Sequence, residues 1–198
     1  MKQALYGFLL FVFLALPPVA NLLESLMIFH MHMQMPLFIV CGFLIGRFFQ
    51  LKFPRFFAKW NTNGVPGILL FTIITGYWML IPRLMDEAIA SPAVEWFKFL
   101  SLTLLAGVPL RDSWRKLGSV GKNVVYGVFI FIFLAVAGIY LGAKNQLCNN
   151  YQFYEQKELG FGTLFVAVCM IIFLIYLLFT DQSEFTEAKP EQDCANSD

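Results

Sequence analysis

The stretch Glu24–Pro36, ESLMIFHMHMQMP, places an acid, both histidines of the chain, a glutamine and four methionines within 13 residues. Imidazole and thioether together are ligands suited to copper, with Met favouring Cu(I), and neither zinc nor magnesium would favour so many thioethers. On a regular helix, at about 100° per residue, Met27, His30, Met31 and Gln34 share one face, with Glu24 and Met35 at its edge. His30 and His32 then stand about 200° apart, so a regular helix cannot bring both to one metal. Two ways out exist. Pro36 removes the hydrogen bond to the His32 carbonyl, which lets the helix kink or unwind there. Otherwise each His takes partners from other helices or loops, such as Asp86, Glu87 or Glu95. The expected metal-handling set is His30 and His32 with Met27, Met31 and Met35, and Glu95 is the acid expected to join it. The same residues also permit a plainer reading, a polar packing network, because Met fills irregular helix contacts and an intramembrane His hydrogen-bonds across helices.

No other chemistry competes with this cluster. The four cysteines, Cys41, Cys148, Cys169 and Cys194, form no CxxC pair, so neither a zinc site nor a thioredoxin-type motif is expected. No Ser, Cys or carboxylate stands beside a His at a nucleophile–base spacing, and the expectation is a protein that is not an enzyme. The segment Arg47–Trp60, RFFQLKFPRFFAKW, interleaves Phe with basic residues. It reads as an interfacial segment lying against anionic lipid headgroups rather than as a nucleic-acid surface.

The elements that must position the cluster are apolar helices. Of 198 residues, 59% are hydrophobic and only 14% charged, against roughly 25% charged in a soluble domain. A soluble enzyme, a nucleic-acid binder and a disordered chain are all disfavoured. A membrane-spanning helix needs about 20 mostly apolar residues, and six stretches qualify, near 4–23, 25–46, 65–82, 94–110, 123–142 and 160–179. The first begins like a signal peptide but lacks a good cleavage region, so a retained helix is expected, kinked or ended by Pro17 and Pro18. Charges between the stretches alternate. Lys2, Arg47, Lys52, Arg55, Lys59, Arg111, Arg115, Lys116, Lys122 and Lys189 fall on one side, and Arg83, Lys98, Lys144 and Lys157 on the other. The positive-inside rule then predicts an all-α polytopic membrane helix bundle of about six transmembrane helices with both termini cytoplasmic. Residues 1–180 form the transmembrane domain, and 181–198 an acidic, flexible cytoplasmic tail.

Further residues fit a known pattern. Pro18 followed by His30 and Met31, then Pro82, Asp86, Ala88 and Pro92, then Glu155, Gln156 and Gly160 occur in this order. In that order and spacing, over roughly residues 17–180, the chain resembles the CtaG-like cytochrome c oxidase assembly factors, polytopic membrane proteins associated with copper insertion. Gln34 and Leu80 stand where that family has histidines, and Glu95 and Phe99 stand near two more; His32 has no counterpart in the pattern. The resemblance implies a multi-pass protein of the bacterial inner membrane.

The leading expectation is a copper-handling protein that aids assembly of a respiratory oxidase or other membrane copper enzyme, binding Cu(I) on the periplasmic side. Its partners would be membrane lipid and that larger complex. The alternative is an accessory subunit of a larger membrane complex that has lost the family's metal ligands. A haem carrier is a distant third, since axial ligation from two helices would have to pair His30 with Met79 or Met170.

Overall fold

The structure, a computed structural model, describes residues 2–180; the acidic segment 181–198 lies outside the described residues. All regular structure among the described residues is helical. Among these residues nine helices follow one another: α1 (Lys2–Ala15), α2 (Pro17–Glu24), α3 (Met27–Lys52), α4 (Pro54–Trp60), α5 (Val65–Leu80), α6 (Pro82–Ala90), α7 (Pro92–Trp114), α8 (Ser119–Gly142) and α9 (Phe153–Phe179). Four of them, α3, α7, α8 and α9, are long and apolar enough to cross a membrane. The number of spans rises to six if α1 with α2, and α4 with α5, each count as one bent span. The described residues are thus all-helical, and their apolar helices make the chain a multi-pass membrane protein.

Proline sets most of the boundaries. Helices α2, α4, α5, α6 and α7 each carry Pro at their first or second position, where the missing N–H would have had no helical partner. Pro17 and Pro18 therefore do more than kink the first apolar stretch: α1 and α2 meet at 70°. The aromatic and basic segment divides similarly, because α3 runs on to Lys52 and Pro54 then starts the short α4, which lies at 86° to α5. That second corner depends on Gly64, the one described residue with positive φ, at 77°. Its left-handed backbone suits glycine, and a Cβ there would also approach Leu117 Cδ1 to 2.6 Å.

Two other prolines leave a different mark. Pro36 and Pro109 each follow a stretch of π-helix, His30–Gln34 within α3 and Ser101–Gly107 within α7. A proline ring clashes with the carbonyl four residues back, and widening the preceding turn to i→i+5 bonding draws that carbonyl aside. The Met35 N–H accordingly bonds the His30 carbonyl. Such π turns occur frequently at functional sites, and the first of these holds the histidine cluster.

Helices α3 and α7 cross closely at Gly42 and Gly107. A Cβ on Gly42 would collide with the Thr103 carbonyl oxygen, and one on Gly107 with the Ile39 carbonyl oxygen. Small residues at such crossings let backbones approach where no hydrophobic driving force exists. The crossing sets the depth at which residues of α7 face the π turn of α3. Helices α8 and α9 form an antiparallel hairpin, and large apolar residues such as Phe131, Phe161, Phe165 and Ile172 stand exposed along it, as a lipid-facing surface requires.

The loop between α8 and α9 is held rigidly. Asp86 of α6 accepts hydrogen bonds from the Asn149 and Asn150 backbone N–H groups at 2.7 and 3.2 Å. Gln156 Nε2 donates to the carbonyls of Cys148 and Tyr151, both at 3.1 Å, while Gln152 and Glu155 form a capping box. Burial, reinforced by the Asp86 charge, pushes the Cys148 thiol up to about 11. Its thiol lies between the Tyr140 hydroxyl at 3.9 Å and the Pro82 carbonyl, to which it donates at 3.6 Å. The result of this bracing is the position of Tyr151, which reaches back into the helix bundle.

Candidate functional site

The π turn places Met27, His30, Met31, Gln34 and Met35 in the interior, and leaves Met33 exposed. The inward face is therefore the one that helical spacing predicts. The histidines it carries have different fates.

His30 is completely buried in a polar network around Lys98. Lys98 is an ammonium with three protons, and it has three acceptors: Glu24 Oε1 at 2.6 Å, His30 Nε2 at 2.9 Å and Gln34 Oε1 at 3.1 Å. Gln34 Nε2 donates to the same Glu24 oxygen at 2.9 Å. On the other side of the ring, His30 Nδ1 lies 2.7 Å from the Tyr151 hydroxyl. That hydroxyl gives its one proton to the Glu24 carbonyl at 2.9 Å, so Nδ1–H is the donor to Tyr151. The proton count closes, with His30 neutral, protonated on Nδ1, and its only lone pair accepting from Lys98. His30 has nothing left to offer a metal in this arrangement. The Lys98–Glu24 pair has side chains 0% and 8% exposed, so the two charges compensate one another where water cannot.

Lys98 belongs to a span and not to a loop. Charge counting groups it with the outward-facing residues, but its ammonium is buried between α2, α3 and α7. Glu95, one turn earlier on α7, is half-buried and its side chain makes no hydrogen bond among the described residues; its charge interacts with those of Glu24 and Lys98. The structure thus assembles Glu24, His30, Gln34, Lys98 and Tyr151, and places Glu95 at their margin. Met27 is buried in the apolar core. Replacing Tyr151 with Phe should leave His30 Nδ1–H without its acceptor, at a cost of about 1–3 kcal/mol. Thermal unfolding of the purified variant in detergent measures that cost.

His32 faces another way. It lines a cavity of about 260 Å³ with Met31 and Met35 of α3, Thr75 and Met79 of α5, and Phe133 of α8. Thr163 of α9 donates its hydroxyl proton to the Leu159 carbonyl at 2.8 Å. Its 3.3 Å contact with His32 Nε2 therefore requires the proton on that nitrogen. His32 Nδ1 is left as a bare lone pair, buried and without a hydrogen-bond partner. The Ile28 carbonyl, four residues back, acts on the ring as a weak hydrogen-bond partner, but at a geometry that leaves Nδ1 without a well-formed hydrogen bond. The Thr75 hydroxyl in the same cavity wall is also unpartnered. Buried polar atoms without partners are few in native proteins and each needs a reason.

An imidazole lone pair beside the thioethers of Met31, Met35 and Met79 is a soft donor set, of the kind that selects Cu(I). A nitrogen freed on one side of the ring by a hydrogen bond on the other is the usual arrangement of a histidine ligand. Among the described residues, no group of three or more His, Cys, Asp and Glu is placed to hold a metal.

Of the residues singled out by sequence, His32, Met31 and Met35 meet at this cavity, and His30, Met27 and Glu95 do not. Sequence reasoning missed Lys98 and Tyr151 as network members and Met79 as a cavity neighbour. A lysine inside the apolar run of α7 was the one visible signal. A second polar cluster, at the opposite end of the bundle, had no such signal. There Asp112 accepts from Gln50 at 3.0 Å, Asn61 at 2.6 Å and Lys116 at 2.7 Å.

Comparison with known proteins adds nothing to these observations: no family model, no curated protein and no solved structure matches the chain.

Proposed function

We propose that this protein handles Cu(I) within the membrane, as a copper-handling factor aiding assembly of a respiratory oxidase or another membrane copper enzyme. The observation that carries the reading is the His32 cavity, where an unpartnered imidazole nitrogen shares a small apolar space with three methionines. The copper ion is the cargo. Nδ1 of His32 and the sulfurs of Met31, Met35 and Met79 would hold it, and Thr163 would orient the ring through Nε2. Thioether ligands carry no charge, so they bind Cu(I) without a compensating carboxylate, and they release it readily to a partner with stronger donors. The His30–Lys98 network serves this site as a frame, because it fixes the register of the π turn from which Met31, His32 and Met35 project. The likeness to CtaG-like factors in residue order, which covers most of the chain, supports the same class.

In this reading the chain spans the bacterial inner membrane six times with both termini in the cytoplasm. The distribution of basic residues supports that orientation. Glu24, Tyr151 and the Asp86-braced loop then mark the periplasmic end, and copper would reach the cavity from there.

The test is competition between the purified protein and a chromophoric Cu(I) chelator. Wild type is expected to withdraw Cu(I), and His32→Ala and Met79→Leu each to weaken it by more than about tenfold. His30→Ala is expected to lower thermal stability far more than copper affinity. Retention of full affinity by His32→Ala would sink the assignment. The complete commitment of His30 to protein partners favours a second reading, an accessory subunit whose polar cluster is purely structural. Wild-type protein that takes no Cu(I) from the chelator, yet co-purifies with larger membrane subunits, would establish that alternative.

A further inference from the structure

A concave surface lies at the end of the bundle opposite Tyr151. It has a volume of about 960 Å³ and is lined by Arg47, Gln50, Arg111, Asp112, Arg115 and Lys116 among others. Four of these six carry positive charge. Asp112 is the single acid, and its oxygens are already taken by Gln50, Asn61 and Lys116. The three guanidiniums therefore have no carboxylate partner among the described residues. Arg111 is tied down through its terminal nitrogens, to the Phe43 carbonyl at 2.8 Å and Gln3 Oε1 at 3.2 Å. Its Nε is nonetheless buried and unpartnered. Arg47 and Arg115 are exposed, and both act repulsively on Arg111.

Three like charges gathered round one hollow oppose each other, and folding alone gives no reason to keep them there. A bound anion does. Guanidinium groups match phosphate oxygens through paired N–H donors. The rim of the hollow indicates which phosphate. Leu51 is 69% exposed, and Phe53 and Phe56 beside it also stand out from the protein. Those side chains offer acyl chains a surface at the level where the guanidiniums would meet a headgroup.

We infer that this hollow binds the phosphate of an anionic phospholipid, with Arg47, Arg111 and Arg115 as its donors. The inference stands apart from the copper reading, since the His32 cavity shares none of these residues. Full-length protein in a neutral detergent is melted with added phosphatidylglycerol, with phosphatidylcholine, and with inorganic phosphate. The comparison includes Arg47→Gln/Arg115→Gln and a control of equal charge loss, Arg55→Gln/Lys59→Gln, whose residues lie outside the hollow. Neither pair's side chains make a hydrogen bond among the described residues, so both variants should fold. Phosphatidylglycerol is expected to raise the melting temperature of wild type and control by several degrees and to do markedly less for Arg47→Gln/Arg115→Gln. Phosphatidylcholine should have little effect on any of them. A comparable rise with inorganic phosphate, lost in the same variant, would keep the phosphate site but assign it to a free anion. Equal response of the two double variants, or none in wild type, would overturn the inference.

Discussion

Lys98→Met is expected to destabilise the protein by about 3–5 kcal/mol, one of the two largest single-residue effects predicted for the described chain. The substitution removes an ammonium of which no part is exposed and leaves Glu24 in place, 8% exposed and with its charge uncompensated. It also strips the acceptors of His30 and Gln34 of their donor. Breaking a buried pair from one side costs far more than replacing both members, because the surviving charge keeps its desolvation penalty. The double variant Lys98→Met/Glu24→Gln should therefore recover most of the loss. Gln retains an oxygen that can accept from Gln34, and no charge remains to be buried. Thermal unfolding in detergent of the two single variants and the double completes a mutant cycle. A double variant no more stable than Lys98→Met would show that the pair is not the principal bond in the network. The cycle also reports on the copper site at one remove. If the network is the frame that holds the π turn, Lys98→Met should weaken Cu(I) binding although Lys98 lies outside the His32 cavity.

The second large effect is steric. Gly42→Ala and Gly107→Ala each place a methyl group into the backbone of the facing helix, against the carbonyl oxygens of Thr103 and Ile39 respectively. A side chain can rotate away from such a contact, whereas a helical carbonyl cannot. Overpacking costs about 1–3 kcal/mol and occasionally more, and these two positions belong at the upper end of that range. Relief requires α3 and α7 to separate, which would pull Lys98 away from Glu24 and His30, so stability and network should fail together. The matched control is Gly138→Ala in α8, where nothing lies within 4 Å of the added methyl. There the change should be neutral or stabilising by about 0.5–1 kcal/mol, from the greater helix propensity of Ala. Similar melting temperatures for Gly42→Ala and Gly138→Ala would mean that the helices do not cross at Gly42.

The helices α3, α5, α7, α8 and α9 were legible with ends displaced by up to seven residues, while the stretch 4–23 is two helices; hydropathy over 20 residues is a strong signal and proline punctuates it. Pro17, Pro54, Pro82 and Pro92 each stand at the start of an observed helix. The 70° corner at Leu16 and the 86° corner near Gly64 were not legible in the same way. A proline permits a change of direction, and only packing sets its angle. The inward face of α3 was legible too, since Met27, His30, Met31 and Gln34 follow helical spacing and all are buried. Asp86 and Gln156, read through a family pattern, proved to hold the loop that carries Tyr151, a role that residue order does not reveal.

What the sequence determined by itself was the inventory: a membrane protein with two histidines, both on one turn of one helix among methionines, and basic residues concentrated between alternate spans. Which histidine keeps a free lone pair was decided only by the tertiary structure. His30 is claimed by Lys98, 68 residues away, and by Tyr151, 121 residues away, while Thr163, 131 residues away, accepts from Nε2–H on the far side of His32 and leaves Nδ1 open. Residue type and spacing state what a side chain can bind. A hydrogen bond then commits each lone pair once, and the partner that claims it arrives on another helix.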